Sequence, residues 1–183
     1  MSSRRIVVGI GGGIAAYKVA TLVSRWVQAG HNVDVVLTHG ATHFVGSATW
    51  AALCGRAPVC DVYDPRFPLG PHIELADGTD LLVIAPATAR ILASCALGLA
   101  DDLISTLYLA RTCPVLMAPA MSTPMWEQPA VQRNVASLKA DGVQLLGPAS
   151  GWLSCRKQGL GRMVEPEEIL AAATKLLTDS APA

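Results

Sequence analysis

Five short runs of mostly β-branched and aliphatic residues recur along this chain: Arg5–Ile10, Val33–Leu37, Leu81–Ala85, Val115–Ala118 and Val143–Leu146. Within each run the apolar residues are nearly consecutive and do not alternate with polar ones. A strand reads this way when both of its faces are buried, which happens in parallel sheets covered by helices on both sides. Helical patterns fall between the runs. Val19, Leu22, Val23, Trp26 and Val27 mark one face of a first helix stopped by Gly30, and Val131, Val135 and Leu138 mark another ending near Gly142. Glu165-Pro166-Glu167-Glu168 opens a last helix through about Leu177, with the acids and proline that a helix start favours, and leaves residues 178–183 as a frayed tail. The alternation predicts an α/β fold: a doubly wound, Rossmann-like parallel sheet with helices on both faces. At 183 residues, 51% hydrophobic and 15% charged, one domain over residues 1–183 accounts for the whole chain.

Several function classes are disfavoured. Net charge is zero and no basic run is present, so neither nucleic acid nor an anionic membrane surface is an expected partner. The basic start Arg4-Arg5 before apolar residues resembles a signal peptide, but the apolar run stops at Gly11-Gly12-Gly13. No run reaches the roughly 18 apolar residues of a membrane span; a cytoplasmic protein is expected. Five cysteines, an odd number with no C-x-x-C, argue against a disulfide framework and against a zinc knuckle. Most should be buried, small apolar thiols; Cys155, set among Ser154, Arg156, Lys157 and glycines, is the exception. His39 and His43 have ligand-like i,i+4 spacing but no intervening glutamate and no third ligand, so a solvated helix face is expected and no metal. Asp101-Asp102 reads as an ordinary acidic helix start, and Ser122 lacks the G-x-S-x-G elbow of a serine hydrolase.

What remains points to a small-molecule site. The turn Gly9-Ile10-Gly11-Gly12-Gly13-Ile14 joins a strand to a helix, where backbone amides meet an anion. Ile14 occupies the third glycine position of G-x-G-x-x-G, and the second strand ends in Leu37-Thr38 without an acid for a ribose, which disfavours a nicotinamide dinucleotide. A mononucleotide phosphate on the amides and the Thr38 hydroxyl fits; a merely tight βα turn is the plain alternative. Ala85-Pro86-Ala87-Thr88-Ala89 brings small residues to a strand's carboxyl end, where a planar ring could lie, or where Thr88 simply caps a helix. His72 ends a proline-rich stretch, Gly55 to Pro71, and is either an acid–base group or a structural residue. That stretch and Ala149 to Met163 read as two long loops of the kind that carry function.

In their order and spacing these segments resemble the homo-oligomeric flavin-containing cysteine decarboxylases, the phosphopantothenoylcysteine branch most closely, from Gly11 to about Ile169. Gly12-Gly13-Ile14-Ala15-Ala16-Tyr17-Lys18 looks like the family's phosphate turn and Pro86-Ala87-Thr88-Ala89 like its flavin segment. His72-Ile73-Glu74-Leu75-Ala76 matches the active-site histidine, and Ala100 to Thr106 a helix start that usually reads Asn-Asp-Leu. Pro119 to Trp126 matches the substrate motif P-x-M-N-x-x-M-W, and Gly151 to Met163 the clamp ending G-x-G-R-M.

The resemblance implies a flavodoxin-like domain that binds FMN through Gly11, Gly12, Gly13, Ile14, Thr38, Phe44, Pro86, Ala87, Thr88, Ser105 and Met121. It implies substrate contacts from Ala120, Met121, Ser122, Met125 and Lys157, with His72 and Cys155 catalytic; Arg156, where the pattern has no side chain, is expected to add a contact by pairing its guanidinium with a carboxylate or a phosphate. The implied reaction is the decarboxylation of 4′-phosphopantothenoylcysteine to 4′-phosphopantetheine in coenzyme A biosynthesis, through thioaldehyde and enethiol intermediates, in a homotrimer or homododecamer. Alternatives within the resemblance are a decarboxylase of C-terminal peptidyl cysteine and a non-catalytic flavin-binding regulator. Two positions depart from the pattern: Ser122 stands for asparagine, and Arg156 for the glycine after the cysteine.

Overall fold

Consecutive residues of the central strands enter opposite cores. Ile6, Val8 and Ile10 face one side with Leu81, Val83 and Ala85, while Val7, Leu82 and Ile84 face the other with Val115 and Met117. The computed structural model describes residues 3–179, and in it β1 (Arg5–Ile10), β2 (Asn32–Leu37), β3 (Leu81–Ala87), β4 (Val115–Pro119) and β5 (Gln144–Leu145) form one parallel sheet. The strand order is β2-β1-β3-β4-β5, the flavodoxin-like arrangement whose ligand crevice opens where connections leave for opposite faces.

Helices α1 (Ala16–Gln28), α2 (Ser47–Cys54) and α8 (Pro166–Asp179) cover one face through Leu22, Trp26, Trp50 and Ile169. Four others, α3 (Pro71–Ala76), α4 (Ala89–Leu97), α5 (Leu103–Ala110) and α7 (Pro129–Ala140), cover the other through Leu75, Leu92, Leu107 and Val135. Burial of each large aliphatic side chain contributes about 1.5–3 kcal/mol, so the apolar strand residues fix the sheet between its helical layers.

The N-terminal apolar run is thus a central strand, and the doubly wound expectation holds. Four details differ. Ala149 to Met163 is not a loop: β6 (Ala149–Trp152) and β7 (Gln158–Arg162) form an antiparallel hairpin outside the main sheet. The last helix runs past Leu177 through Asp179, so Thr178 and Asp179 are helical; residues 180–183 of the expected frayed tail lie outside the described residues. In the proline-rich stretch, Val59 hydrogen-bonds Val35 and Leu37 and so pairs with the edge of β2. That cover protects an otherwise open strand edge. His72, expected at the end of a loop, lies in the first turn of α3.

Candidate active site

Where β1 and β3 end side by side, the Gly11 amide donates to the Pro86 carbonyl at 3.2 Å. A Cβ at Gly11 would overlap that carbonyl, and one at Gly12 would come within 2.8 Å of the Gly40 backbone. The turn is therefore glycine because two backbones cross it closely. The amides of Gly12, Ile14 and Ala15 donate to no backbone carbonyl of the described residues, and they stand at the start of α1, where the helix dipole favours an anion. They border a cavity of about 1060 Å³, which Thr88 also lines. Thr88 is in addition the N-cap of α4, accepting from the Ile91 amide, so the capping and ligand readings of this residue coexist.

The opposite wall comes from the segment after β4. Ala120, Met121, Ser122 and Met125 line the cavity. The Ala120 amide donates to the Ala87 carbonyl at 3.1 Å and the Met121 amide to Gly161 at 2.9 Å, tying the segment to β3 on one side and to the hairpin on the other. Ser122 is the N-cap of α6 (Thr123–Trp126), yet its side chain makes no capping bond. Its hydroxyl is left for the cavity.

At the tip of the hairpin the Arg156 amide donates to Leu153 and the Leu153 amide to Lys157, both at 2.9 Å. Arg156 has φ +60°. This is a three-residue hairpin loop whose last residue is left-handed, a place glycine normally fills. A left-handed conformation costs a residue with a side chain about 1–2 kcal/mol. Arg156→Gly is accordingly expected to raise stability by about 1 kcal/mol, read as a higher urea midpoint at unchanged m-value; an unchanged or lower midpoint would remove the strain assigned to this position.

Of the residues singled out in the sequence, Gly12, Gly13, Ile14, Phe44, Thr88, Ala120, Met121, Ser122, Met125 and Arg156 meet around this one cavity. Others do not line it. Gly11, Pro86 and Ala87 are buried and outside its lining. The Thr38 hydroxyl is used by backbone, donating to Ile10 and accepting from the Ala41 amide. Ser105 is fully buried and completes a capping box with Asp102, so its hydroxyl is engaged at a helix start. Asp101 and Asp102 pair with Arg90, and hydrogen bonds from Ser94 and Arg90 hold the Asp101 carboxyl below its ordinary pKa. Lys157 is exposed beyond the cavity wall. His72 packs back against Gly70, its Nδ1 buried without a hydrogen-bond partner among the described residues. Cys155 is exposed at the turn, while Ser154 and Arg156 on either side of it line the cavity.

The other cysteines divide: Cys95 is buried, its pKa pushed up to about 12 chiefly by desolvation, Cys54 and Cys113 are half-buried, and Cys60 is exposed, contrary to the general expectation of burial. His39 and His43 are exposed with rings edge to face. Among the described residues no three His, Cys, Asp or Glu side chains are grouped to hold a metal ion, and no helix is long and apolar enough to cross a membrane.

The sequence reading missed a charged corner of the cavity. Lys18 Nζ lies 2.9 Å from Glu165, which Arg162 also contacts, and all three line the cavity. Desolvation, and then the charge of Arg162, lowers the Lys18 pKa. Its signal was present, since Lys18 follows Ile14 by one helical turn.

The flavoprotein family model matches residues 1–178. The chain belongs to the flavoprotein family. Among curated relatives of this flavoprotein, the coenzyme A biosynthesis bifunctional protein CoaBC of Mycolicibacterium smegmatis is 49% identical over 183 residues, covering 97% of this chain and 43% of that protein. The flavoprotein chain thus spans less than half the length of the curated relatives it matches. Two solved structures superpose closely. The FMN-dependent cysteine decarboxylase SpaF is 33% identical with a TM-score of 0.83, covering 98% of each chain. A PPC decarboxylase mutant complexed with pantothenoylaminoethenethiol is 30% identical with a TM-score of 0.84, covering 98% of this chain and all of that one.

Proposed function

We propose that this flavoprotein catalyses the FMN-dependent decarboxylation of 4′-phosphopantothenoylcysteine to 4′-phosphopantetheine, a carboxy-lyase step of coenzyme A biosynthesis. The observation that carries the reading is that one cavity at the switch point between β1 and β3 gathers the glycine turn, the Ala120–Met125 segment and the cysteine hairpin. The residues present fit FMN. Three unpaired amides at the start of α1 suit a phosphate, and Ile14, Phe44 and Met121 offer apolar surface to a planar ring. When bound, FMN would supply the two-electron sink that loss of carbon dioxide from a cysteinyl group requires.

The chain's own groups bind, orient and protonate. The free Ser122 hydroxyl donates to the substrate carboxylate. A hydrogen bond to a charged group contributes about 1.5–3 kcal/mol, so Ser122→Ala is expected to lower kcat/KM by about ten- to a hundredfold, and an unchanged kcat/KM would take Ser122 out of substrate recognition. Cys155 stands at the cavity mouth between two lining residues and is assigned as the proton donor to the reduced carbon skeleton. His72 is assigned to substrate positioning or proton transfer in the oxidative half.

Because His72 lies away from the cavity of its own chain, and Leu97, Leu99 and Leu109 are exposed, the working unit is taken as a homo-oligomer, a trimer or dodecamer; the solution mass by light scattering tests this. Five free cysteines suit the reducing cytoplasm, where we place the protein. The decisive assay is anaerobic incubation of FMN-loaded protein with 4′-phosphopantothenoylcysteine, or with a peptide ending in cysteine. Carbon dioxide and 4′-phosphopantetheine are expected. Turnover of the peptide alone would move the substrate class, and turnover of neither would sink the enzymatic reading.

A further inference from the structure

Three cationic side chains line the cavity, and they differ in one respect. Lys18 and Arg162 share Glu165, while Arg156 has no carboxylate partner among the described residues. Arg156 also holds a left-handed backbone, φ +60°, at the one loop position that glycine would fill without strain. A strained residue bearing an uncompensated charge at the wall of a ligand cavity is one whose side chain has work there.

We propose that Arg156 is a specificity-determining residue that binds the phosphate of the substrate; this rests on the function proposed above. The substrate has two anionic groups, and the chemistry chooses between them. A guanidinium on the carboxylate would hold a full counter-charge against the group that leaves as neutral carbon dioxide, a far larger ground-state stabilisation than the single hydrogen bond from the neutral Ser122 hydroxyl, whereas a pair with the remote phosphate persists from substrate through product and lowers KM without opposing the bond cleavage. The planar fork of arginine suits two phosphate oxygens at once. No covalent step is involved. Arg156 thereby distinguishes the phosphorylated substrate from its dephosphorylated analogue, and the stability lost at the turn is offset by selectivity.

The test compares 4′-phosphopantothenoylcysteine with pantothenoylcysteine, which keeps the carboxylate and lacks the phosphate, in the FMN-loaded wild type, Arg156→Gly and Arg156→Lys. Arg156→Gly is expected to raise KM for the phosphorylated substrate by about ten- to a hundredfold with kcat little changed, and to leave KM for pantothenoylcysteine unaltered. Arg156→Lys restores part of the loss, as a point charge without the fork. The unfolding midpoint of the glycine variant reports folding separately. Equal shifts for both substrates would assign Arg156 to the carboxylate, and no shift for either would assign it to neither; each overturns the proposal. A wild type active on both substrates with a KM blind to Arg156 sinks this inference alone, whereas a wild type active on neither sinks the proposed function and this with it.

Discussion

Replacing Cys155 by serine is expected to lower formation of 4′-phosphopantetheine by about 10²–10⁴-fold, the usual scale for removal of a positioned acid, while carbon dioxide is still released once per site. The two readouts separate because the thiol is assigned to the protonation that follows decarboxylation and not to the bond cleavage. Serine keeps the size and the hydrogen bonding, but its hydroxyl is a far weaker acid than a thiol. The hairpin loop is unaffected, since its bonds run between the backbones of Leu153, Arg156 and Lys157. Quenched-flow trapping of labelled carbon dioxide, with product mass measured in parallel, checks this. Wild-type product formation by the serine variant would remove Cys155 from the reaction. Loss of carbon dioxide release along with product would move it to the earlier half.

The second large effect is at Gly161. Its φ is +149°, and a Cβ there would overlap the Met121 carbonyl. The same two residues are joined by the Met121 amide bond to Gly161, so an added methyl group acts at the contact that holds the hairpin against the substrate wall. Backbone strain and overpacking each cost about 1–3 kcal/mol. Gly161→Ala is therefore expected to destabilise by about 2–6 kcal/mol, a fall in Tm of about 10 °C for a chain of this size, and to abolish turnover by displacing the hairpin. Gly55→Ala is the control: φ is +71° but no atom lies within 4 Å of its Cβ position, so it bears backbone strain alone, about 1–2 kcal/mol, and activity should survive. A Gly161→Ala protein as stable and active as wild type would show that the hairpin does not need this approach.

The layers of the fold were legible because burial on both faces forces a recognisable kind of strand, and β1, β3 and β4 carry it without interruption. The hairpin was not. Its strands are rich in glycine, and their pattern is set by contact with Met121 and Thr123, residues remote in sequence, so neither apolar alternation nor turn chemistry marked them. The site was legible where backbone crowding dictates composition, as at Gly11 and Gly12. It was less legible where hydroxyls have two possible uses: Thr38 and Ser105 look like ligand groups in sequence, and in the fold both also serve helix starts. Arg156 was legible as a charge and not as a conformation, because a left-handed φ leaves no trace when the residue is not glycine. His72 and Cys155 fall outside the cavity lining of the single chain, a separation no local pattern encodes.

The hairpin also gives the molecule an optical gauge of its own. Trp26 and Trp50 are sealed in the core, Trp126 is half-buried in α6, and Trp152 alone of the four tryptophans lines the cavity, two-thirds exposed. Its indole emission should therefore dominate the red edge of the spectrum and be quenched when a flavin or substrate occupies the space beside it. Occupancy of the site would then be readable in unlabelled protein, with Trp152→Phe silencing the signal and leaving the buried pair as an internal reference.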